Sequence, residues 1–104
     1  MSFESIGEII ATRRLYFLDE SNSKRTVSVF VGQPHESPDS LGSHCPFQII
    51  GIGTQETYVA QGLDSIHALQ SAMIMLAAHL NQLKDELGIK LSWEGGPQGE
   101  LGFL

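Results

Sequence analysis

The chain has 104 residues, twelve acidic and six basic, giving a formal net charge of −6. That length holds one ordinary domain and not two, so residues 1–104 are read as a single unit. The acidic balance repels phosphate backbones, and no nucleic-acid partner is expected. Charged residues make up only 17% of the chain, below the usual ~25%, so part of the surface is expected to be covered by contact, most simply with a second copy.

The single cysteine, Cys45, cannot form an internal disulfide, and a reducing compartment is its simplest home. Met1-Ser2-Phe3-Glu4 lacks the basic start and apolar run of a signal peptide. The longest apolar stretch, Ala72 to Leu80, is broken by His79 and falls far short of the ~20 residues of a membrane span. A cytoplasmic protein with no membrane partner is the expectation.

From Ile9 the chain alternates, with Ile9, Ala11, Leu15 and Phe17 on one face and Ile10, Thr12, Arg14 and Tyr16 on the other. Period two predicts an antiparallel strand. The polar run 19–24 is a turn, and Thr26 to Val31 is a second strand with Val27, Val29 and Val31 toward the core, which makes a hairpin. Arg13, Arg14, Lys24 and Arg25 on this hairpin read as solubilising charges rather than a binding stripe. Gly32-Gln33-Pro34 ends the strand, since proline cannot donate to a ladder.

Residues 35–44 have loop composition throughout and are expected to be irregular. Phe47 to Ile52 follows as a third strand opened by Cys45-Pro46, and Thr57 to Gln61 as a fourth. The helix comes next. Ile66, Leu69, Met73, Leu76, Leu80, Leu83 and Leu87 recur at steps of three and four as one apolar stripe. Asp64 suits its N-cap and Gly88 its left-handed stop. Leu91-Ser92-Trp93 can add a short fifth strand, and the apolar end Leu101-Gly102-Phe103-Leu104 is expected to dock.

His35, His44 and Cys45 are the candidate loop site. Neighbouring strand residues point to opposite faces, so His44 does not reach the Cys45 sulfur, and no nucleophile motif surrounds it. Cys45 is read as a small buried hydrophobe. The histidine spacing matches no zinc pattern, and His67 and His79 lie about 120° apart around the helix. No catalytic residue, metal or cofactor is assigned. Gly51-Ile52-Gly53 lacks both the third glycine and the following helix of a dinucleotide loop, and marks a bulge or close packing instead. Ile74, Met75 and Ala78 lie off the main stripe and are the candidate subunit interface.

Four segments read together, Ala11-Thr12-Arg13-Arg14-Leu15, Cys45 to Gly53, Gly62 to Gln70 and Gly102-Phe103, resemble a family of small bacterial proteins of unknown function. The resemblance spans nearly the whole chain and implies a stand-alone bacterial domain. It carries no catalytic residues.

The expected fold is α+β, a four- to five-stranded antiparallel meander sheet with one long α-helix packed across one face. The expected function is a non-enzymatic, self-associating interaction module, a dimer. Its acidic surface suits a basic protein partner, as in toxin-neutralising immunity proteins. The alternative is a small-molecule-binding protein or enzyme using the 35–45 loop and Cys45.

Overall fold

The computed structural model describes residues 6–39 and 41–103. Strand β1 (Ile9–Leu18) and β2 (Lys24–Gly32) form the first hairpin, joined by a loop that Asp19 organises. The Asp19 carboxylate accepts from the Ser21 and Ser23 amides at 2.9 Å and from Arg25 Nε at 2.7 Å. The register slips between Ile9 and Ala11. That bulge sets Ile9 opposite Gly32, and so on the other face from Ala11, where simple alternation puts the two together.

Residues 35–44 are more regular than their composition suggests. His35–Glu36 form a two-residue strand, β3, paired with the start of β4 (Ser43–Ile50), and the Ser37 amide donates to the Gly42 carbonyl at 2.8 Å. β5 (Thr57–Gly62) pairs along the other side of β4. Both β3 and β2 lie on the opposite side, so β3 continues the line of β2 past the Gln33-Pro34 break. Helix α1 (Ser65–Leu87) follows, then β6 (Ser92–Trp93), which crosses to pair with β1. The sheet therefore runs β5-β4-β2-β1-β6, antiparallel throughout, with one helix on one face. The α+β meander stands as expected.

Leu15, Val27, Val29, Val31, Cys45, Phe47 and Ile49 point into the core beneath the helix. α1 is capped as its sequence predicts. Asp64 accepts from the His67 amide at 2.8 Å, and Gly88 takes the left-handed conformation at φ 62°. Its buried face is turned from the predicted stripe, however. Ala68, Ala72, Leu76 and Leu80 are buried, whereas Ile66 and Leu87 are 68% and 53% exposed. The cause is close approach: a Cβ on Gly62 would collide with the Ala68 backbone, so only small side chains fit between the first turns and the sheet.

α1 packs mainly on β5 and β4. Running back along β5, it leaves the start of β1 uncovered, so Ala11, opposite Val31 on the helix face, is exposed. Ile9, Ile10 and Thr12 are exposed as well, Thr12 on the face that carries no helix.

Candidate functional site

Cys45 is fully buried on the core face, and its thiol donates only to the Gly32 carbonyl at 3.5 Å and the Pro46 carbonyl at 3.9 Å. Burial pushes the thiol above its ordinary value near 9.0, the opposite of what a nucleophile needs. His44 lies on the other face. It sits across from His35 with ring centroids 5.7 Å apart, so the strands bring the two histidines together and leave the cysteine out. Among the described residues no three His, Cys, Asp or Glu side chains gather as metal ligands would.

Of the helix candidates, Ile74 is 70% exposed, Met75 is 37% exposed and Ala78 is exposed. Ile74 lines a groove of about 750 Å³ between α1 and the hairpin. Its floor is Ala11 of β1 with Val29 and Val31 of β2, and its helix wall is His67, Gln70, Ser71, Met73 and Ile74. Thr12 and Arg13 of β1 also line it, Arg13 beside Gly102 and Phe103. Gly102 and Phe103 close one end, and no residue of the 35–45 loop takes part. The volume lies within the roughly 300–1,000 Å³ typical of ligand sites.

Arg13 gives the groove its charge. Its guanidinium is stacked between Trp93, 4.0 Å to the ring centre, and Phe103, 4.7 Å away, a cation–π arrangement that holds the planar group in place. One nitrogen donates to the Leu101 carbonyl at 3.3 Å. Gly102 has φ 80°, and a Cβ there would strike both Trp93 and Arg13. Glycine is thus required where the tail folds over the stack. Lys24 and Arg25 pair with Glu94 and Asp19. Arg13 has no carboxylate partner among the described residues, so it is a fixed part of the groove rather than a loose solubilising charge.

The apolar C-terminal segment docks as expected, with Leu101 buried and Phe103 half-buried; Leu104 lies outside the described residues. Its target was not readable, because Arg13 and Leu101 are 88 residues apart in sequence.

A family model described as a domain of unknown function, DUF6968, matches residues 11–104. The chain belongs to the DUF6968 family. The match begins within β1 and takes in every groove residue and the whole Arg13 stack. No curated protein and no solved structure matches the chain. Among the described residues no helix is long and apolar enough to cross a membrane.

Proposed function

We propose that this DUF6968 chain is a non-enzymatic, self-associating interaction module of the bacterial cytoplasm, paired through the open edge of β1. The observation that carries this reading is that β6 covers β1 only at Leu15 and Tyr16. The edge from Ile9 to Arg13 has no strand beside it among the described residues. At that edge the Arg14 carbonyl points outward, since it accepts from the Glu94 amide at 3.0 Å. By alternation the amide and carbonyl of Thr12 point the same way. An unprotected edge beside exposed Ile9 and Ile10 is a template for another strand. Two-fold pairing is the commonest way for a chain to supply one. Ile74 lines the groove beside this edge, which supports including one helix candidate in the proposed contact. The net charge of −6 further favours a basic protein over nucleic acid as any second partner.

Thr12→Pro is the decisive variant. It removes an outward amide and leaves the β1–β2 ladder intact, as proline on an edge strand allows. Light scattering behind a sizing column should give twice 11.4 kDa for the wild type and one chain for Thr12→Pro. A monomeric wild type refutes the reading. A dimer that survives Thr12→Pro and dissociates with Met75→Asp moves the interface to the back of α1.

A further inference from the structure

We infer that the groove between α1 and the β1–β2 hairpin binds a small amphipathic carboxylate, its apolar body along the valine floor and its acid group on Arg13. The floor, Ala11, Val29 and Val31, is apolar, and Met73, Ile74 and Phe103 extend that surface up the walls. An apolar ligand body there removes surface from water on several sides at once. Arg13 supplies the charge. A guanidinium carries five N–H donors in a fixed fork, and here one of them is used, on the Leu101 carbonyl. The remaining donors have no partner among the described residues, although the side chain is half-buried. Trp93 and Phe103 on its two sides prevent it from swinging into solvent. A half-buried cation held at the end of an apolar groove matches a carboxylate in charge and, through the fork, in geometry.

The helix wall adds direction. The His67 Nδ1 accepts from the Leu63 amide at 2.9 Å, so a neutral His67 carries its proton on Nε2 as a donor. Gln70 and Ser71 follow on the same wall. Every titratable side chain lining the groove is cationic or neutral, and no Asp or Glu is among them. In a chain of net charge −6, that local absence of acid favours an anionic ligand.

Trp93 is the single tryptophan and stacks on Arg13, so its emission reports the site directly. Decanoate, decanol and decyltrimethylammonium share one chain length and differ in head-group charge. Titrated below micellar concentration, decanoate should give a saturable change in Trp93 emission, decanol a weaker one and the cation none. Arg13→Gln should weaken decanoate about tenfold or more, the scale of a charge-assisted hydrogen bond, and Arg13→Lys should fall between. Should Arg13→Gln loosen the tail, Ile74→Glu at an exposed wall position tests occupancy of the groove instead, since an added negative charge there should weaken decanoate. Amide shifts on decanoate addition should map to Ala11–Arg13, Gln70–Ile74 and Gly102–Phe103. Equal binding of decanoate and the cation, an Arg13→Gln affinity unchanged in a folded protein, shifts mapping elsewhere, or no decanoate binding would each overturn the assignment. Ala11, Thr12, Arg13 and Ile74 belong to the groove as well as to the proposed pairing region, so wild type and each variant are read both by mass and by emission. A wild-type dimer that binds no decanoate counts against the ligand site alone, and a wild-type monomer that binds decanoate counts against the pairing alone.

Discussion

At the scale of single residues, burial decides the chemistry. Cys45 was legible as structural because a strand entrance beside proline offers a thiol no orienting base. Its core position raises its pKa by desolvation alone. The protonated thiol is therefore favoured in the fold, a contribution present below about 9.0 and lost as pH rises through the higher folded value. Iodoacetamide should label Cys45 slowly at pH 8 in native protein and rapidly in denaturant, and Cys45→Ala should cost about 1–2 kcal/mol in a chemical melt. Asp19 moves the other way. The Ser23 amide, and then the Arg25 side chain, hold its carboxyl below the ordinary 3.8. Its contribution is present above that value and disappears as pH falls through the folded pKa. The stability gap between wild type and Asp19→Asn, measured by thermal melts, should therefore be open at neutral pH and narrow below about pH 3.8. From sequence Arg13 reads as one of four hairpin charges. Its stacking against Trp93 and Phe103 was not legible there, because it depends on the returning tail, which no local pattern encodes.

At the scale of elements, the helix shows what periodicity can and cannot deliver. Its caps were readable residue by residue, because Asp64 and Gly88 act on their own backbone. The buried face was readable only in part, since Gly62 and the sheet beneath choose small side chains at the point of closest approach. Leu76→Ala should destabilise by about 2–5 kcal/mol. Ala72→Leu should cost about 1–3 kcal/mol by overpacking. Leu87→Ala, a stripe member that remains exposed, should stay within about 0.5 kcal/mol of wild type. Denaturant titration separates the three, and a large loss at Leu87 would mean that another surface covers the helix end. The 35–44 segment failed as irregular because its paired residues fall in two short pieces, His35–Glu36 and Ser43–His44, each too short to show alternation.

At the scale of the whole molecule, the meander followed from four alternating segments and short turns, whereas the crossing of β6 to β1 did not. A two-residue strand has no period, and its partner lies at the opposite end of the chain. There β6 pairs with the end of β1 and, among the described residues, leaves its beginning without a neighbouring strand on that side. The groove follows from α1 lying over β5 and β4 rather than over the hairpin. Ile9 and Ile10 at this strand start, and Ile74 on α1, are exposed apolar residues of the kind that the proposed self-association would cover. Amide hydrogen exchange at Thr12, compared with Arg13, tests the edge most directly. The Arg13 amide points into the β1–β2 ladder and should exchange slowly at every protein concentration. Thr12 should be protected in concentrated protein and lose that protection on dilution below the dimer dissociation constant. Fast exchange at Thr12 at all concentrations, beside a slow Arg13, would contradict pairing through β1.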